Sequence, residues 1–376
     1  MTGGRRCISP SSASPLDNVD ILFEILLRLP PAPSSLPRAS GVCKLWRRLV
    51  SDPAFLRCFH ARHRRNPPLL GFFSEGLGGI SFTPALEPPD RVPPEYFSLQ
   101  LDDTLRSIIC CRHGLILFEN MRSEFLVWDP VTGDQHHIVV PAECRFNKKD
   151  LLILHGFVLR DDIGGGPSNN FRVLLVGVDF LRFTRTYARV YSSDTGTWGN
   201  LISTASPSMN PMHVPSVMCL VVIETPLEVS NMSQKRQFRV MQADGGGVLG
   251  LLFLSSFSIQ LWKRKADCDG IAAWELGRTI DLHTLLPLGS DEGLSPTIGI
   301  CGFAEDDNVL LLRTGDDVFM IQLESMQLKK PFVMHISCDK ANIGICYKLY
   351  HPFTCVYTAG ISIGERQDGA ELLQNT

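Results

Sequence analysis

Three times in this chain an apolar or aromatic run stops at a cluster of turn-forming residues and then resumes as a second run. Phe125-Leu126-Val127-Trp128 leads into Asp129-Pro130-Val131-Thr132-Gly133. Residues 189–193 lead into Asp194-Thr195-Gly196-Thr197-Trp198, and Ile259-Gln260-Leu261-Trp262 is followed by Asp269-Gly270 and Trp274. Asp and Thr side chains close such turns and Gly supplies the backbone freedom, so each unit predicts strand, turn, strand. Further strands are predicted at 107–110, 114–118, 151–159, 171–178, 238–241, 248–254, 309–313 and 318–323. The spacing is irregular, with 63 residues from Thr132 to Thr195, so no strict repeat period exists. Many strands without a long helix predict a propeller or a sandwich.

Before Pro67-Pro68 the chain reads differently. Residues 1–66 carry 11 Lys+Arg against 4 Asp+Glu, whereas the rest carries 25 against 35, so +7 and −10 sum to the net −3. Val19, Leu22, Phe23, Leu26 and Leu27 recur at the spacing of an amphipathic helix, widened by Ile25 and Leu29. Asp17 fits its N-cap, and Pro30-Pro31 ends it by withholding backbone N–H groups. A second helix is expected from a Ser34 or Ser35 cap, with Leu36, Ala39, Val42, Cys43, Trp46, Leu49 and Val50 as apolar positions. Gly41 would cost it about 1 kcal/mol relative to Ala. Asp52-Pro53 opens a third helix carrying Phe55, Leu56 and Phe59. Three helices in about 50 residues bury little on their own. Their apolar surface must meet either the β domain or another protein's helices.

The run Pro15-Leu16-Asp17, Glu24-Ile25-Leu26-Leu27-Arg28-Leu29-Pro30-Pro31, Ser34-Ser35-Leu36-Pro37-Arg38-Ala39-Ser40, Val42-Cys43-Lys44, Trp46-Arg47, Leu49-Val50-Ser51-Asp52-Pro53 resembles an F-box, in particular that of a large family in grasses. The common pattern opens with Leu-Pro; here Pro15-Leu16 stands in its place. Residues 67–73, 111–118, 127–133, 190–198, 260–282, 302–305 and 320–329 resemble blocks of the β-propeller-like domain found behind such F-boxes. The resemblance implies a multidomain chain: a tail at 1–14, an all-α three-helix F-box at 15–66, an all-β propeller-like domain at 67–364 and a flexible tail at 365–376. It further implies that the F-box binds a Skp-type adaptor hung from a cullin, while the β domain presents a protein substrate for ubiquitin transfer. The expected adaptor face is Leu16, Val19, Leu22, Ile25, Leu26, Leu29, Leu36, Val42, Cys43, Trp46 and Leu49. Leu26 and Trp46 are its expected anchors, since central aliphatics and Trp dominate interfaces. One departure from the family pattern lies between Val217 and Ile223, where an aromatic-rich hairpin on the order of 20 residues is missing. One blade is therefore expected to be incomplete.

Other chemistry is poorly supported. Gly245-Gly246-Gly247-Val248-Leu249-Gly250 matches GxGxxG, but a strand-like run follows where a phosphate loop needs a helix, so a hairpin turn is expected. Cys58, His60 and His63 lack the second ligand pair of a structural zinc site. His136-His137 is expected at an exposed strand end. No nucleophile elbow or HExxH occurs, and the adjacent Asp pairs cannot face each other, so neither catalytic residues nor a cofactor are expected. The basic run Arg57, Arg62, Arg64, Arg65 lacks interleaved aromatics, so nucleic acid is not an expected partner. The longest clean apolar run, Val217 to Ile223, is too short for a membrane span, so a membrane is not expected either. The absence of a secretory signal and the 12 scattered cysteines without a CxxC pair predict reduced thiols in the cytoplasm or nucleus. Two alternatives to the ligase reading stay open: an adaptor-independent binding propeller, and a partly deleted copy that docks the adaptor but recruits nothing.

Overall fold

A computed structural model of the chain describes residues 18–64, 66–76, 79–97, 99, 105–120, 124–141, 152–160, 170–179, 185–205, 238–243, 248–266, 272–286, 298–305, 307–315, 317–332 and 349–358. Four helices come first: α1 (Val19–Leu27), α2 (Ser35–Ser40), α3 (Lys44–Val50) and α4 (Pro53–His63). The cap of α1 is Asn18 rather than Asp17; its Oδ1 accepts from the backbone N of Asp20 and Ile21 at 2.9 and 3.3 Å. Asp52 caps α4 as expected, accepting from Ala54 and Phe55 N, with Pro53 in the first turn. The expected second helix is two. Gly41 ends α2, donating its N–H to the Pro37 and Arg38 carbonyls at 3.2 Å, and α3 restarts after Cys43. The glycine therefore sits at a helix end, where its propensity cost is not incurred.

The strands form five antiparallel sheets, the blades of a β-propeller. β1 (Leu69–Gly76) and β2 (Gly79–Pro84) begin blade 1. Blade 2 is β3 (Leu105–Arg112), β4 (Leu115–Asn120), β5 (Glu124–Trp128) and β6 (Gln135–Val139). Blade 3 is β7 (Leu152–Arg160), β8 (Phe171–Asp179) and β9 (Arg185–Ser192), with β10 (Thr197–Trp198) and β11 (Ile202–Ala205) both on β9. Blade 4 is β12 (Phe238–Ala243), β13 (Val248–Ser255), β14 (Ser258–Ala266) and β15 (Ala272–Asp281). Blade 5 is β16 (Ile298–Ala304), β17 (Val309–Thr314), β18 (Asp317–Gln322) and β19 (Gln327–Phe332). Finally β20 (Tyr350–Thr354) returns to pair with β1, from Leu69↔Thr354 to Ser74↔Tyr350. A strand from each end of the β domain thus shares blade 1, which removes two sheet edges that would otherwise lie open.

The innermost strand is the first of blades 2 to 5 and the returning β20 in blade 1. β16 packs on β20, β20 on β3 and β3 on β7, and the Arg239 guanidinium of β12 donates to Ile300 O of β16 at 3.4 Å. Apolar clusters weld neighbouring blades. Phe73, Phe82 and Phe353 of blade 1 meet Phe118 and Trp128 of blade 2, and Leu117 and Val127 meet Val158 and Val173 of blade 3. Leu252 and Ile259 of blade 4 meet Ile300 and Leu310 of blade 5, whose Cys301 and Leu311 meet Phe72 and Tyr350 of blade 1. Ion pairs add to this. Arg112 meets Glu305 at 2.7 Å across blades 2 and 5, and Arg160 of blade 3 pairs with Asp129 of blade 2.

The turns explain several sequence signals. Asp129 Oδ1 accepts from Val131 and Thr132 N at 3.0 and 3.3 Å, and Gly133 (φ 83°) donates back to Asp129 O at 2.8 Å. His113 and Gly114 both have positive φ in the two-residue turn between β3 and β4, the backbone that matches strand twist. The expected gap at 217–223, and with it the expected incomplete blade there, lies outside the described residues. So do the tails at 1–14 and 365–376. Among the described residues, blades 3 and 4, on either side of that gap, have five and four strands. The last three residues of the GxGxxG run, Val248 to Gly250, already belong to β13, antiparallel to β12, and no helix follows.

Candidate functional site

The helical domain has a sealed face and an open one. Leu22, Leu26, Leu36, Val50, Phe55 and Phe59 form its core, with Phe23, Leu29, Trp46, Leu49 and Leu56 packed at the margin. Phe55 meets Phe23 edge-on at 5.2 Å and stacks with Phe59 at 6.0 Å. Outside this core five apolar side chains face solvent: Val19 (47% exposed), Ile21 (44%), Ile25 (41%), Val42 (61%) and Leu45 (38%). Ile21 and Ile25 lie one turn apart on the same flank of α1. Val42 and Leu45 bracket the start of α3, beside the exposed Cys43. Isolated exposed apolar residues are ordinary; five from α1, α3 and the turn before α3 in one small domain suggest an unmet partner.

The profile of the F-box-like family matches residues 19–62, which run from the first residue of α1 almost to the end of α4. The helical domain is an F-box. Relatives agree. The Arabidopsis thaliana F-box protein At5g03970 is 27% identical over 214 residues, 52% of this chain and 49% of its own length. A second Arabidopsis thaliana protein, named as an F-box/kelch-repeat protein, is 26% identical over 193 residues, 48% of this chain and 44% of its own. The chain therefore spans about half the length of the curated relatives it matches. Among solved structures, the WD40 domain of SCAP from fission yeast aligns over 70% of this chain and 49% of its own, at 12% identity and a TM-score of 0.27. Overlap of that size adds nothing to the strand pairings above.

Within the F-box, the residues expected to meet an adaptor divide. Val19, Ile25, Val42 and Cys43 are exposed. Leu29, Trp46 and Leu49 are half-buried against the core. Leu22, Leu26 and Leu36 are buried within the chain. Leu26 is thus a core residue and not the anchor expected of it, because the centre of an apolar stripe is where a helix packs on its own domain. Leu16 lies outside the described residues. Ile21 and Leu45 were missed as exposed positions. Ile21 has a detectable signal, an apolar residue one turn before Ile25 on the flank of the stripe.

Among the remaining candidates, His63, His60 and His136 have structural partners. His63 Nε2 donates to Leu27 O at 3.1 Å while its ring lies 4.5 Å from Phe59. His60 Nε2 shares a 2.9 Å hydrogen bond with Thr358 Oγ1. Cys58 is exposed, and no group of three metal-ligating side chains assembles among the described residues. His136 and His137 lie on exposed positions of β6, with the His136 ring 5.2 Å from that of Phe171. Burial pushes the thiols of Cys111, Cys301 and Cys355 up, the last two to about 12, so they behave as apolar filler. Among the described helices none is long and apolar enough to cross a membrane.

Proposed function

We propose that this chain is the substrate-recognition subunit of a Skp-cullin-F-box ubiquitin ligase. The F-box docks a Skp-type adaptor, and through it a cullin, while the propeller holds a protein substrate whose identity lies in its loops. The observation that carries the proposal is the division of the F-box into a sealed core and five exposed apolar side chains on α1 and at the start of α3. An adaptor's helices would cover Val19, Ile21, Ile25, Val42 and Leu45, with the half-buried Trp46, Leu29 and Leu49 at the edge of the contact. The subunit supplies position and no chemistry; ubiquitin transfer belongs to its partners. It works where those partners do, in the cytoplasm or nucleus.

The test is co-purification with a recombinant Skp-type adaptor. The wild-type chain forms the complex, and the Val19→Asp/Ile25→Asp double variant does not, while its helical signal stays unchanged. Equal capture of both proteins would remove the proposed face.

A further inference from the structure

The F-box and the propeller meet at the segment that follows β20. Cys355 N donates to Pro68 O at 3.2 Å, extending the pairing of β20 with β1 toward the helices. The next residue, Val356, is buried inside the F-box core, among the residues that seal α1 and α4. Two residues further, Thr358 bonds His60 of α4 across 298 positions of sequence. A second tether joins α2, where Ser34 N donates to Asp90 Oδ1 of the β domain at 3.0 Å. Four short helices bury too little apolar surface to be firmly stable alone, so a core residue lent by the other domain carries weight out of proportion to its size.

We propose that residues 355–358 couple closure of the propeller to formation of the F-box, so that the helices become firmly structured only when β20 is paired with β1. The chemistry is plain packing: Val356 reaches the helical core only if the residues just before it are held on blade 1. Taken with the proposed function, on which this last consequence rests, a chain that has not closed its propeller presents no adaptor-docking face. Incompletely folded receptors would then stay out of the ligase.

The test is amide hydrogen exchange on the full chain, which needs no adaptor and so is independent of the docking proposal. Val356→Asp should speed exchange of the α1 and α4 amides at least a hundredfold, and Val356→Ala about tenfold. Phe353→Ala alters the cluster shared by blades 1 and 2 and not the F-box core, yet it should also speed exchange in α1 and α4. Should Val356→Asp fail to fold, Val356→Ala and Phe353→Ala carry the same readout. Unchanged protection of α1 and α4 in Val356→Ala and Phe353→Ala would overturn the coupling. Lost adaptor capture with those helices still protected would also overturn it as the route to docking.

Discussion

Adjacent residues of α1 should fail in opposite ways. Leu26 is fully buried and Ile25 is 41% exposed, so alanine at each removes a different interaction. Leu26→Ala leaves a cavity in the F-box core, at a cost of about 2–5 kcal/mol. Through the opening equilibrium, that speeds exchange of the α1 and α4 amides by roughly 30- to 5,000-fold at ~1.4 kcal/mol per decade. Ile25→Ala leaves the core untouched. Complete burial of an Ile side chain is worth about 1.5–3 kcal/mol, so covering the exposed 41% contributes about 0.6–1.2 kcal/mol to docking. That weakens adaptor binding by roughly three- to eightfold with no change in exchange. Calorimetric titration of the adaptor and hydrogen exchange of the free chain measure the two effects separately. If Ile25→Ala destabilises the helices as much as Leu26→Ala does, or Leu26→Ala leaves exchange unaltered, the division of α1 into sealed and docking flanks is wrong.

The propeller makes its own predictions. A Cβ at Gly71 would lie 2.3 Å from Thr83 O and 2.5 Å from the Phe82 ring, so Gly71→Ala should cost at least ~1–3 kcal/mol and lower the melting temperature by several degrees; an unchanged melting curve would contradict the tight β1–β2 contact. Acid should weaken the fold. Burial first, and then the Arg239 guanidinium, holds the His351 imidazole down at about 4 against an ordinary value of 6.5, and burial lowers His60 and His155 as well. The neutral forms are favoured in the folded chain. The contribution of His351 is therefore present above pH 6.5 and is lost as pH falls through about 4, amounting to about 3 kcal/mol. Chemical denaturation at pH 7 and at pH 4.5 should show this, with a smaller drop in His351→Gln. Equal drops in both proteins would mean that His351 is not the source.

What the sequence made legible follows from which interactions are local. The α1 stripe, the Asp52-Pro53 start of α4 and central strands such as β5, β8 and β17 all follow from residues within a few positions of one another. Edge strands were harder to see. β15 is exposed along most of its length and β6 reads Gln-His-His-Ile-Val, so neither shows clear apolar alternation. β20 contains Pro352 and pairs with β1, more than 270 residues away, and no local pattern could announce that. The same distance hid the role of Val356 in the helical core. On the F-box, periodicity identified the apolar helix but could not say which of its rows its own domain would claim. Leu22 and Leu26 sit at the centre of the stripe and are sealed, whereas Ile25 on the flank is open.

The most direct test of the account is the footprint of a Skp-type adaptor on the full chain, read by hydrogen exchange in an equimolar complex. The account predicts new protection at α1 and at residues 42–46, with the amides of β3 to β5 unchanged. No complex, or protection confined to the propeller while Ile21, Ile25, Val42 and Leu45 stay open to solvent, would contradict it.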